Sequence, residues 1–547
     1  MKKLLAVISA AALCAVPYAG YASTASADSG ADIVIAASDE LPCNDIFDVT
    51  KAVDSDMWTY TMIYDRLFEL STDGKSLEPS LAVGYSIGDS AYGYSAKAKN
   101  VARSSISSIY NPFYDYDPAW EDPYEDPVSY GEGNSNYLGG GGSLVMTIQL
   151  RDDVKFTDGY NLTSEDVGTL ISYAQSLPSD TLIYRQWAPV YEFRYIDEQT
   201  FELELDFSDT NSGFMDFMYG MASPMGSIVK PPEYEWESAI GTGAYKITEA
   251  LSEQYVMFER NDEWWNGTVP SQTVKTVPRL GDYLQVGLDS GDVDIGYASK
   301  AEYDDYWFQN DYDYVHEYII GNPMILRYNL NKSYFADDTV RKAIDYAINN
   351  KITSYFCSCE MKSNDFWKYA ARYDPDKAKD PLVGVVAKLE VLGNEKYTSD
   401  LQGLQDIFNE YYNNRIEEYI YEQISFNITT CSEDELKTEW ETGNYDIYLE
   451  EIDLCDANAM IKNFGSLDQG CEDWADKIKH SADFETYEAT SGSLLMWLYE
   501  NAYISYLGWD SGVVVRRQDV YGFDAPTGYY PFGDTSRLDF RYVHKGI

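Results

Sequence analysis

The sequence predicts an α/β protein divided into two or three lobes, on the strength of three observations. The chain has 547 residues, too many for one ordinary hydrophobic core. Segments whose apolar residues alternate with a period of two are followed by segments where they recur every three or four positions, the patterns of half-buried strands and amphipathic helices. Hydrophobic residues make up 45% of the chain, enough to exclude wholesale disorder.

The N-terminus reads as an export signal. Lys2 and Lys3 precede an apolar run from Leu4 to Val16, and Ala25-Ser26-Ala27 offers a small-residue cleavage site. Residues 1–27 are therefore expected to be a signal peptide and the mature chain to begin at Asp28. A competing reading makes Cys14 a lipid-modified cysteine, although the bulky Leu13 stands where that motif needs a small residue. No later run reaches the roughly 18 apolar residues of a membrane span. Cys43, Cys357, Cys359, Cys431, Cys455 and Cys471 remain after cleavage. In an exported chain they permit disulfides, and spacing does not choose among the roughly 15 pairings that six cysteines allow. Cys357-Ser358-Cys359 lacks the CxxC spacing and neighbouring His of a metal site, so no metal is expected.

Asp32 to Ala36 reads as an opening strand, and Tyr60 to Leu70 as a mixed apolar segment. From about residue 88 to 142 the chain is rich in Ser, Tyr, Asp, Pro and Gly, with no core-forming period, and reads as an extended surface insertion. Leu144, Met146, Ile148 and Leu150 then form one face of a strand. Asp158-Gly159 is a turn dipeptide. Thr163 can cap a helix, with Asp166 completing a capping box and Val167, Leu170, Ile171 and Ala174 on the buried side. Phe201, Leu203, Leu205 and Phe207 alternate with acids, another half-buried strand. In Gly241-Thr242-Gly243-Ala244-Tyr245 no GKS or GKT follows, so the glycines are read as turn residues rather than a phosphate loop. Leu284 to Ile295 reads as a helix stopped by Gly291 and followed by a short strand. Asp337 or Asp338 caps a helix with Val340, Ala343, Ile344, Ala347 and Ile348 on one face. Leu401, Leu404, Phe408 and Tyr411 give a further helical face. The run from Ala502 to Arg517 supplies closing strands.

Composition narrows the function. With 40 Lys plus Arg against 91 Asp plus Glu, the net charge of -51 excludes a nucleic-acid partner, which needs a basic footprint. The 50 Tyr and 12 Trp suit a cleft that stacks on and hydrogen-bonds a ligand, though much of this Tyr also fits a compositional habit. No GxSxG elbow, HExxH helix, EF-hand loop or P-loop occurs. Only His316, His480 and His544 are present, too few for a His-rich zinc site. His316 reads as a strand-edge residue. Glu450-Glu451 could imitate the carboxylate pair of a glycosidase, but in so acidic a chain the adjacency is expected by chance. No catalysis is implied, and no cofactor.

Several segments resemble, in order along the chain, the family 5 extracellular solute-binding proteins, the oligopeptide, dipeptide and nickel receptors of bacterial ABC importers. They are Tyr64-Asp65-Arg66-Leu67-Phe68-Glu69, Leu77 to Ala82, Val154 to Val167 (VKFTDGYNLTSEDV), Gly241 to Tyr245 with Arg260-Asn261 and Trp264-Trp265, Val340 to Ile348, Tyr373 to Lys379, and Tyr445-Asp446. The resemblance implies an α/β, periplasmic-binding-protein-like two-lobed fold with a hinge and an extra third domain. Domain I is expected from residues 28–78, 210–317 and 502–547, domain II from 79–209, and domain III from 318–501. It implies a monomeric receptor that traps a small peptide or other oligomeric ligand between lobes and hands it to an ABC permease and, through it, the ATPase. Contact with the membrane would then come only through the permease or a lipid anchor, and the location would be periplasmic or the outer cell face.

In that family an Asp in a "GWxADYxxP" segment meets the ligand's α-amino group. Here Tyr445 to Asn458 reads YDIYLEEIDLCDAN. Glu451-Ile452 replaces Gly-Trp, and Asp456-Ala457-Asn458 echoes the motif one residue out of step. Asp456 is the expected ammonium partner, with Asp453 as the alternative and Asn458 beside them. The competing reading of Asp456 is a helix cap. Receptors for an oligosaccharide or a metal chelate remain alternatives, and an exported hydrolase is the rival from another class.

Overall fold

The computed structural model describes residues 31–37, 58–71, 77–88, 144–179, 181–207, 213–230, 239–251, 254–279, 283–299, 303, 314–348, 388–407, 425–452, 463–481, 483–525 and 538–546. The expected signal peptide, most of the insertion and the segment holding Asp453, Asp456 and Asn458 lie outside them.

In chain order the strands are β1 (Ile33–Ala36), β2 (Phe68–Leu70), β3 (Leu77–Pro79), β4 (Ala82–Gly88), β5 (Leu144–Leu150), β6 (Val190–Tyr195), β7 (Thr200–Leu205), β8 (Tyr245–Leu251), β9 (Tyr255–Arg260), β10 (Thr273–Thr276), β11 (Ile295–Ser299), β12 (Tyr314–Tyr328), β13 (Lys388–Asn394), β14 (Ser425–Cys431), β15 (Ile447–Glu451), β16 (Ile504–Arg517), β17 (Val520–Tyr521) and β18 (His544–Lys545). The helices are α1 (Tyr60–Ile63), α2 (Ser164–Ala174), α3 (Leu182–Trp187), α4 (Phe214–Ala222), α5 (Tyr283–Ser290), α6 (Asp338–Ile348), α7 (Thr398–Ile407), α8 (Glu433–Glu441), α9 (Gln469–Lys479) and α10 (Phe484–Glu500).

An antiparallel sheet of order β4-β5-β7-β6 forms one unit. Its inward residues are the apolar positions of the alternation, Met146, Ile148, Leu150, Phe201, Leu203 and Leu205, all buried. Helix α2 starts where Asp166 accepts hydrogen bonds from the backbone N–H and the hydroxyl of Thr163, each at 2.8 Å. It buries Val167, Leu170, Ile171 and Ala174.

The long sheet, of order β14-β13-β15-β12-β16-β11-β1-β10-β9-β8, runs through both lobes. In one lobe β1 is parallel to β10 and β11. In the other β13 is parallel to β14 and β15. The two groups are joined by β12 and β16, which pair antiparallel over most of their length with irregularities after Ile320 and after Met324. Apolar residues of α6 and α7 (Ala343, Ile344, Leu401, Leu404) cover one face of the second lobe's sheet with Leu326, Leu389, Val391 and Leu449. Ile325 and Ile452, on its other face, join the larger core with Phe464 and with Leu494, Leu495 and Leu498 of α10.

Two of the segments quoted for the family resemblance, Tyr64 to Glu69 and Gly241 to Tyr245 with Trp264-Trp265, meet at a buried polar network in the first lobe. Asp65, fully buried, accepts from the Trp264 and Trp265 indoles at 3.1 and 2.7 Å and from the Thr242 hydroxyl at 3.2 Å. Arg541 lies 3.6 Å from Asp65, 3.0 Å from Glu69 and 2.7 Å from Asp539. Burial pushes the Asp65 carboxyl up to about 6, against the pull of Arg541 and the two indoles. The reading of Gly241 and Gly243 as turn residues is corrected here. A Cβ on Gly241 would stand 1.9 Å from the Ile63 carbonyl oxygen, and one on Gly243 2.5 Å from the Ile63 carbonyl carbon. Both are glycine because two backbones touch. Gly291, with φ +82°, does end α5 as the pattern predicts.

Candidate functional site

Register alone locates a cleft. Ser299, at the carboxyl end of β11, pairs with Gly512 of β16, which pairs with Ile319 of β12. Glu451, at the carboxyl end of β15, pairs with Met324 of β12, which pairs with Gly508 of β16. β11 runs in the same direction as β12, and β15 runs against it, so the two carboxyl ends face each other. Between the rows of Ile319 and Met324 lie about five residues of extended chain, roughly 16 Å at strand rise. Since β1 and β10 are parallel to β11, and β13 and β14 to β15, the parallel strands of both lobes end at this gap. Ligands of open α/β sheets bind outside strand carboxyl ends. The crossing strands β12 and β16 form its floor, and their irregularities lie where a hinge must bend.

On the first lobe's side, Arg279 follows β10. Its guanidinium donates to the Tyr297 carbonyl at 3.1 Å and lies 5.5 Å from the centre of that ring. On the second lobe's side stand Asn394, Cys431 and Glu451, the last residues of their strands. The Tyr397 hydroxyl donates to the Glu451 carboxylate. Cys431 and Cys471 are both thiols, and burial pushes Cys471 up to about 12, out of the reactive range.

Glu450 and Arg327 form a pair that sequence reading missed. Glu450 was legible only as one of two adjacent acids. Successive side chains on a strand point to opposite faces, so Glu450 and Glu451 do not share a reaction space as a glycosidase pair must. Arg327 lies 3.6 Å from Glu450, donates to the Asn463 carbonyl at 3.3 Å, and sits over the Phe464 and Trp440 rings at 5.1 and 5.6 Å. Burial pushes the Glu450 carboxyl up to about 7, and Arg327 only partly opposes it. A raised carboxyl contributes most below its ordinary value of 4.5 and loses that contribution as pH rises through about 7. Glu450→Gln is therefore expected to gain about 1 to 3 kcal/mol over the parent at about pH 8 and almost nothing at about pH 4.5. Urea unfolding at the two pH values measures it, and a difference independent of pH would remove Glu450 as the source.

The sequence-predicted site residues Asp453, Asp456 and Asn458 lie outside the described residues. Their segment leaves β15 after Ile452 and rejoins the described chain at Asn463, the residue whose carbonyl Arg327 holds. His316 lies within β12 and meets Tyr303 edge-on at 5.5 Å. Among the described residues no group of three or more His, Cys, Asp and Glu could hold a metal ion, and no helix is long and apolar enough to cross a membrane.

Comparison with known proteins agrees with this architecture. NikA from Brucella suis in complex with Fe(III)-EDTA superposes with a TM-score of 0.65 at 14% identity, over 94% of this chain and 99% of that one. DppA from Helicobacter pylori in complex with the peptide STSA gives 0.61 at 16% identity, over 94% and 98%. The oligopeptide-binding protein AppA of Bacillus subtilis (strain 168) is 23% identical over 223 residues, 38% of this chain and 40% of AppA. The match thus spans well under half the length of that curated relative. The family described as "Bacterial extracellular solute-binding proteins, family 5 Middle" matches residues 141–452. That range covers more than half of the chain and includes strands of both sheets and the cleft's second rim, and the chain belongs to the family 5 bacterial extracellular solute-binding proteins.

Proposed function

We propose that this family 5 receptor captures peptides, oligopeptide or dipeptide, in the cleft between its lobes and delivers them to the permease of an ABC importer. The observation that carries this reading is the cleft itself, where the parallel strands of two lobes end on either side of a pair of crossing strands. An extended peptide presents main-chain donors and acceptors to such strand ends, and its side chains can be left in wet pockets. Hinge closure turns that binding energy into a shape a permease can recognise. The likeness to AppA and to peptide-bound DppA supports a peptide. The likeness to NikA, bound to Fe(III)-EDTA, keeps a metal chelate as the second reading.

The mature protein begins at Asp28, works outside the cytoplasm as a monomer, and uses residues 28–78, 210–317 and 502–547 as domain I, 79–209 as domain II and 318–501 as domain III. Mass spectrometry of small molecules released by denaturing the purified protein tests the function. Peptides of mixed sequence, recovered intact and in stoichiometric amount, are expected. Recovery of a metal chelate or a sugar would replace the peptide reading, and cleavage products of an added peptide would replace the receptor reading.

A further inference from the structure

Helices α9 and α10 form a hairpin fixed to the second lobe at one end. The Tyr499 hydroxyl donates to Asp345 of α6 at 3.2 Å, and Arg341 of α6 donates to the carbonyls of Ala502 and Asn501 at 2.5 and 3.2 Å. The other end reaches the first lobe. There every residue of α4 but the half-buried Asp216 is buried, and Gln186 donates to its Phe217 carbonyl at 3.1 Å. Asp216, in the first turn of α4, accepts from the backbone N–H of Gly213 and from the hydroxyl of Tyr487 in α10, each at 2.6 Å. The Tyr219 and Tyr487 rings lie 5.8 Å apart. Gly213 meets the hairpin's tip so closely that a Cβ there would stand 2.4 Å from the Lys479 carbonyl oxygen.

Tyr487 and Tyr499 are about 18 Å apart along the helix axis at 1.5 Å per residue. Helix α10 is thus an arm anchored on one lobe whose free end grips the other. We infer that the contact of Tyr487 with Asp216, beside the Gly213–Lys479 approach, is a latch between lobes. It forms when they close and breaks when they part. It favours the closed arrangement whatever the ligand, and so sets part of the affinity for every ligand the cleft accepts.

Two variants probe the latch by different means. Tyr487→Phe removes the donor to Asp216 and keeps the ring. Gly213→Ala keeps the hydrogen bond, and φ of −109° at this position suits alanine. Its added methyl meets an obstacle only when Lys479 is against it. Small-angle X-ray scattering of the mature protein, stripped of ligand by unfolding and refolding, reads the lobe separation directly. Both variants are expected to show a larger radius of gyration than the parent, Tyr487→Phe from a drop of about tenfold in the closed-to-open ratio, the scale of one charge-assisted hydrogen bond, and Gly213→Ala from the clash of its methyl with the Lys479 carbonyl. Circular dichroism checks folding, and if Gly213→Ala does not fold, Tyr487→Phe decides alone. A radius of gyration equal to the parent's in the folded variants would overturn the latch and make the contact a fixed pivot. Because no ligand is added, that outcome is separate from any failure of the peptide reading.

Discussion

Replacing Arg541 with Met is expected to destabilise the protein by about 3 to 5 kcal/mol at about pH 7.5, the cost of leaving buried carboxylates without their cation. Arg541 holds Asp539 through a bidentate contact and reaches Glu69 and Asp65, all near the indoles of Trp264 and Trp265. Burial pushes the Glu69 and Asp539 carboxyls up, and Arg541 together with Arg66 more than reverses it, holding both below their ordinary values. Their contribution is therefore present above those ordinary values and is lost as pH falls through the lowered ones. Asp65 behaves in the opposite sense. Its carboxyl, at about 6, contributes most below 3.8 and loses that contribution as pH rises through about 6. Without the guanidinium, burial is still opposed by Arg66 at Glu69 and Asp539 and by the two indoles at Asp65, but each carboxyl favours its proton more strongly. The variant's deficit should accordingly shrink by half or more between about pH 7.5 and about pH 4.5, as protons replace the missing cation. Denaturant unfolding of parent and variant at the two pH values measures this. A deficit under about 1 kcal/mol, or one equal at both pH values, would mean that Arg541 contributes packing alone.

Local chemistry is what the sequence made legible. The capping box of Thr163 and Asp166, the four buried positions of α2, the stop at Gly291 and the alternation of Phe201, Leu203 and Leu205 each depend on residues a few positions apart, and the structure shows each of them. Long-range relations were hidden. Arg541 and Glu69 are 472 residues apart in the chain, and no spacing announces their contact. Gly241 was read as a turn residue because a glycine's neighbours in space cannot be seen in sequence, and the backbone of Ile63 is what requires it. The cleft is likewise a matter of register. Ala502 to Arg517 was legible as strand, but its pairing with Tyr314 to Tyr328, the feature that sets the gap between the two lobes, is not written in either segment. For the site, the acids after β15 could be named because they follow a strand in a familiar pattern. The pairing of Arg327 with Glu450 could not, since it needs two strands in register and the Asn463 carbonyl beside them.

Asp456→Ala is expected to cost roughly 2 to 5 kcal/mol of affinity for a peptide with a free N-terminus, on the scale of a buried charge pair that loses one partner. Strand β15 ends at the cleft, and Asp453 comes two residues after Glu451, the last residue of that strand. A peptide ammonium enclosed by closing lobes loses its water, and an isolated buried charge costs several kcal/mol unless an opposite charge stands against it. Asp456 is proposed for that place, with Asp453 as the alternative and Asn458 as a neighbouring hydrogen-bonding group. As a helix cap, Asp456 would act differently. Its loss would lower stability by about 1 kcal/mol and leave affinity nearly unchanged. Acetylating the peptide separates the two roles, since it removes the ammonium and leaves the helix alone. Calorimetry of parent and Asp456→Ala, each with one recovered peptide in free and N-acetylated form, should show a large loss only where the free ammonium meets the missing carboxylate or acetyl meets the intact one. The variant should therefore bind the acetylated peptide better than it binds the free one. Four equal affinities would exclude Asp456, and the same experiment on Asp453→Ala would then test whether the ammonium is met three residues closer to β15.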